Sequence, residues 1–267
     1  MREEAVDSRN SPLREITQKG RRWLVERVHE IAPDLHPNDL TRGRAKVFFV
    51  GGLWAYFRRG WGPAVSMGGA ASTDALDGEL HRLLEEKDPN YKNPTGWFED
   101  NKADRDEEKV GSGFRALKAF KEGDRLRAFL ALGEMVTNPL TSLFRKLAES
   151  KGVEVAEFPK GQKHTLPIRV LGNHGGRMVK EALLAAVDNR YFEIGLSALQ
   201  IVGNIYTTVD RIRTLRNGKR KELSDEVRQD EREKLNYLLS VTGKTLVTAG
   251  EVYLLGRLFD RDRRYSF

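Results

Sequence analysis

The sequence predicts an all-α multi-helix bundle, of one body or two lobes, with a long antiparallel helical hairpin at its C-terminal end and little or no β structure. Three observations carry this. Apolar residues recur at three- and four-residue intervals through most of the chain. Two long periodic segments, Tyr191–Leu215 and Leu235–Leu258, flank a turn at Asn217-Gly218. Only Val153, Val155 and Phe158 alternate with polar or small residues, enough for one short strand.

The elements follow in order. Ser11-Pro12 is a helix start, and Leu13, Ile16, Trp23, Leu24, Val28 and Ile31 keep helical spacing up to Pro33. A second helix is expected from Asp39 to Arg59, with Gly51-Gly52 at its middle and Phe49, Trp54 and Phe57 assigned mainly to the core. Gly60–Ala71 is glycine-rich and reads as a loop, and a third helix carrying Leu76, Leu80, Leu83 and Leu84 starts near Ser72. Residues 88–111 read as a charged connector between an N-terminal lobe, 1–87, and a C-terminal lobe, 112–267. Pro89, Pro94 and Gly96 break it, Glu99–Lys109 is almost wholly charged, and Trp97-Phe98 are placed to anchor it. Three short helices are expected over Ser112–Lys121, Asp124–Thr137 and Pro139–Ser150. A loop, Pro159–Gly176, then leads into a helix over Arg177–Val187. The hairpin completes the chain, with Gly243 or Gly250 as breaks in its second arm.

The 267 residues include no cysteine, which excludes disulfides and thiolate chemistry and fits a reducing, cytoplasmic setting. The longest nearly apolar run, Val47–Phe57, is too short to cross a bilayer as a helix, so a membrane partner is not expected. The net charge is +7, but its distribution matters more. Leu40–Thr73, Phe158–Lys180 and Arg211–Lys221 contain no Asp or Glu, whereas Asp74–Glu108 holds twelve acids and five bases.

Motifs for catalysis do not hold. Gly243-Lys244-Thr245 lacks the glycine and strand of a phosphate-binding loop, and Gly111-Ser112-Gly113 has no buried strand before it. Asp100, Asp104, Asp106, Glu107 and Glu108 offer hard oxygen ligands, but their spacing departs from a calcium loop. They read as a solvated charged loop, and no metal or other cofactor is expected. His29, His36 and His81 are isolated, while His164 and His174 share a loop with no acid beside either.

The basic stretches point instead to a polyanion. Arg42, Arg44, Lys46, Arg58, Arg59 and Trp61 mix cations with an aromatic, as single-stranded nucleic acid rewards. Lys160 and Lys163 precede a glycine-rich helix start, where His174, Gly175, Arg177 and Lys180 suit an anion. Arg211, Arg213, Arg216, Lys219, Arg220 and Lys221 cluster at the hairpin tip. The expected function is non-catalytic binding of RNA or single-stranded DNA through its backbone, as a subunit of a nucleoprotein assembly, with the three stretches converging on one track. The alternatives are a protein–protein scaffold that self-assembles through its opposed charges, or a metal-independent nuclease using His164 or His174.

Overall fold

The computed structural model describes residues 12–93, 95–155, 171 and 174–265. The described residues are 85% helical. Among the described residues there are eight helices and no sheet: α1 (Pro12–Ile31), α2 (Pro37–Phe57), α3 (Trp61–Lys87), α4 (Gly96–Glu122), α5 (Arg125–Glu149), α6 (His174–Ala186), α7 (Arg190–Asn217) and α8 (Asp225–Tyr265). The expected strand shrinks to one antiparallel bridge between Val153 and Arg220, and Phe158 lies outside the described residues.

Local chemistry sets the helix ends. His36 caps α2, its ring accepting from the Asn38 amide while Asp39 accepts from the His36 amide. Asp124 caps α5 and Asn189 caps α7. Gly123, at φ 78°, ends α4 in the left-handed conformation that glycine adopts without strain.

Helix α4 is the hub: it packs against α2, α5, α6 and α8. Helix α3 packs on α1, α2 and α6, and α5 lies between α7 and α8. The two long C-terminal helices are joined by the expected turn but scarcely touch each other: α7 rests on α5, and α8 on α4 and α5 alike. The apolar core is small-residue rich. Ala116, Ala119 and Phe120 of α4 meet Ala128, Ala131 and Met135 of α5 and Val252 of α8. Phe48 of α2 meets Ala64, Met67 and Ala70 of α3 and Met178 of α6.

Several sequence expectations change. The stretch Gly60–Ala71 is not a loop, because its small residues allow α3 to run on and lie close to α2. A β-carbon at Gly51 would meet Met67 and Ser66, and one at Gly62 would meet the Trp54 ring. The charged stretch within 88–111 is not a connector from Gly96 onward but the first half of the central helix. Trp97 and Phe98 do anchor it, stacking edge-on against Tyr237 of α8, whose hydroxyl donates to the Phe98 carbonyl. Residues 125–149 form one helix through Pro139, and α8 runs past Gly243 and Gly250 unbroken. Phe49, Trp54 and Phe57, assigned to the core, are exposed.

Candidate functional site

The acidic half of α4 decides where the cations go. Asp100, Asp104, Glu107 and Glu108 fall at helical spacing and turn toward α2, α3 and α6. Asp74 and Asp77, three residues apart on α3, join them. Between these acids sits the Arg44 guanidinium of α2. It donates to Glu107 (2.9 Å), Asp104 (2.8 Å), Asp100 (3.2 Å) and Asp74, with Asp77 3.9 Å away. His174, at the start of α6, lies 2.9 Å from Glu107, 3.1 Å from Asp104 and 3.5 Å from Glu108. Arg105 and Arg177 each hold Glu108 at 2.6 Å.

Among the described residues this nest counts six carboxylates against four cations, Arg44, Arg105, Arg177 and protonated His174: two negative charges in excess. The strain shows in its proton affinities. Burial pushes Asp77 up to about 6, against the Thr41 hydrogen bond and with Asp100 adding repulsion. Partial burial, then repulsion from Asp104, pushes Asp100 up to about 7. Burial also raises Asp104. Burial opposes the charge on His174, but Asp104, Glu107 and Glu108 outweigh it and push the imidazole up to about 10. Burial opposes Glu108's charge too, yet Arg105, Arg177 and His174 hold its carboxyl well below the usual range.

The nest is open on one side. The Asp74 and Asp100 side chains are 38% and 46% exposed, while Asp77, Asp104 and Glu107 form the floor. One oxygen from each of Asp74, Asp77 and Asp100 lies within 4.8 Å of the others, and the same holds for one donor atom each from Asp104, Glu107 and His174. Hard oxygen donors at that separation suit magnesium, manganese or calcium. On the neighbouring face of α4, a cleft of about 440 Å³ is lined by Arg42, Lys46 and Lys102 together with Glu99 and Asp106.

No family model matches the chain, and no curated protein or solved structure is significantly similar to it. The site stands on its own chemistry.

The residues expected to meet a nucleic-acid backbone are distributed otherwise. Arg44, His174, Arg177 and Lys180 are interior and paired, so the phosphate role assigned to them is corrected: internal carboxylates take the place of the anion. The start of α6, with half-buried Gly175, faces Asp104, Glu107 and Glu108. Arg59 is largely covered and bridges Glu193 (2.8 Å) and Asp188 (3.1 Å). Arg42 pairs with Glu99, and Arg211 donates to the Thr141 carbonyl, its charge pushed down to about 10 by burial. Lys46, Arg58, Trp61, Arg213, Arg216, Lys219 and Arg220 are exposed, and Lys221 pairs with Glu154. Lys160 and Lys163 lie outside the described residues, as does His164. Members of the first and third stretches are spread along the length of α7. Arg59 sits at the N-terminal end of α7, and Arg216–Lys221 occupy its last turn and the residues just beyond, about 40 Å away at 1.5 Å per residue.

Sequence reasoning missed Asp74 and Asp77 and misread Asp100, Asp104 and Glu107. The available signal was acid spacing: positions 100, 104, 107 and 108 share one helical face, which an unstructured connector does not require.

Proposed function

We propose that the protein is a divalent-cation-dependent enzyme acting on a phosphate ester or anhydride, with Asp74, Asp77 and Asp100 as the cation ligands. The observation carrying this is the open nest with two uncompensated negative charges. A buried excess of that size is relieved by protonation or by a cation, and a divalent ion matches it in one step. Magnesium-type sites use a few carboxylates and leave positions for water and substrate phosphate oxygens. The exposed faces of Asp74 and Asp100 leave room for such a substrate, and Arg42, Lys46 and Lys102 offer charge for its remaining phosphate. The cation would polarise the phosphorus centre and, through its own charge, hold Asp74, Asp77 and Asp100 ionised as ligands.

Equilibrium dialysis of the full chain with inorganic pyrophosphate tests this. Binding should require magnesium and disappear in Asp74→Asn/Asp77→Asn. Retention without magnesium, or in that variant, contradicts it.

A second reading remains for the exposed tip between α7 and α8, where Arg213, Arg216, Lys219 and Arg220 present cations to solvent. Contact with an RNA or single-stranded DNA backbone there would weaken steeply with salt. A gel-shift series at rising salt checks it; binding indifferent to salt would remove it.

A further inference from the structure

The chain is inverted in places: charge faces inward and apolar side chains face out. On α7 the buried positions are Glu193, Ser197, Gln200, Gly203 and Asn204, whereas Tyr191, Phe192, Val202, Ile205, Tyr206 and Val209 are exposed. On α6 Arg177, Lys180 and Glu181 are buried beside Met178, Leu184 and Ala185, while Val179 and Leu183 are exposed, as is Val187 just past the helix end. The exposed positions of α2 from Val47 to Phe57 are likewise all apolar, among them Phe49, Leu53 and Trp54, and Trp61 and Val65 continue the surface onto α3. A water-facing surface has the opposite pattern, and monomers in water rarely expose a contiguous apolar area above a few hundred Å².

This belt has charged borders. At one end Arg58, Lys121, Arg125 and Arg190 are exposed, and the ends of α2, α5 and α7 are tied together by Arg59–Glu193, Arg127–Glu193 and Arg190–Asp124. At the other end stand Arg42 and Lys46 on α2 and Arg213 and Arg216 on α7. Between the borders the belt is about 16 Å deep along α2 and about 28 Å along α7, at 1.5 Å per residue. Trp54, Trp61 and Tyr191 gather near the first border, where amphipathic rings favour an apolar–aqueous boundary.

We propose that this belt is covered by the acyl chains of a lipid membrane, with the carboxylate nest held at its aqueous edge. A second copy of the chain fits less well. Helix α2 packs on α3 and α4, whereas α7 packs on α5, so the belt runs over helices seated on different neighbours and no single flat partner covers it. No helix among the described residues is long and apolar enough to cross a membrane by mean hydropathy. Such averaging counts the inward Glu193, Gln200 and Asn204 against α7, although in a bundle those positions never meet lipid.

Two measurements on the full chain test this, independently of any cation. In a Trp23→Phe/Trp97→Phe variant the remaining Trp54 and Trp61 report on the belt. Vesicles of brominated phosphatidylcholine should remove most of their emission relative to unbrominated vesicles, and the chain should float with the vesicles in high salt. Val202→Lys/Ile205→Lys should reduce flotation severalfold while helix content by circular dichroism is kept. Unquenched emission with the chain remaining in the aqueous fraction overturns the proposal. So does a monodisperse monomer or dimer in detergent-free buffer that leaves vesicles untouched.

Discussion

Two ionic nests lie side by side in this bundle, and they are built differently. The first, around Arg44 and His174, holds six carboxylates and four cations and opens to solvent through Asp74 and Asp100. The second, around Glu134, is closed. Lys180 meets Glu134 at 2.5 Å and Glu181 at 3.0 Å, and Arg115 joins Glu134, Glu181 and Glu193. Arg59 and Arg127 complete Glu193, so three glutamates face four cations, none of them open to solvent as Asp74 and Asp100 are. A sealed nest in which each buried glutamate is met by cations ties helices together. An unbalanced, open one is where a ligand has something to supply.

The largest effect should come from breaking the sealed nest. Glu134→Gln leaves Lys180 and Arg115 short of a buried counter-charge and should destabilise the chain by about 3–5 kcal/mol, read from chemical unfolding. The same change in the open nest should act oppositely. Asp74→Asn or Asp100→Asn removes repulsion, so the cation-free protein should unfold no more easily than the parent, while manganese affinity falls at least about tenfold. An equal loss of stability in both nests would erase the distinction.

Acidity sharpens it further. Asp77 and Asp100 have folded affinities for the proton above their unfolded values, so their stabilisation is complete below about pH 4 and is lost as pH rises through about 6 and 7. His174, also raised, keeps its contribution below its ordinary value and loses it only toward about pH 10. Between pH 4 and 8 the cation-free chain should therefore lose thermal stability through the two aspartates, and Asp77→Asn/Asp100→Asn should flatten that slope. The smallest effect belongs to the exposed tip. Arg216→Ser/Arg220→Ser should change stability by less than about 0.5 kcal/mol while weakening retention on a polyanion column.

Helical periodicity made the architecture legible: α1, α2, α6 and the two long terminal helices lie close to where the apolar spacing puts them. What it hid follows from one assumption, that charge means solvent. Asp100, Asp104, Arg105, Glu107 and Glu108 look like a solvated stretch by composition, yet their partners Arg44, His174 and Arg177 stand far away in sequence and are supplied only by packing. The converse error concerned Phe49, Trp54 and Phe57, which apolar character assigns to a core that is filled instead by alanine, methionine and ion pairs. Glycines such as Gly51 and Gly62 read as breakers singly, but at the contact they let α2 and α3 approach.

Manganese titration of the cation-free chain, followed by the electron paramagnetic resonance signal of the free ion, addresses the open nest most directly. Saturable uptake that disappears in Asp74→Asn/Asp100→Asn and survives in Arg216→Ser/Arg220→Ser is the predicted result. A signal that stays that of the free ion throughout, or uptake that the aspartate substitutions leave untouched, would contradict it.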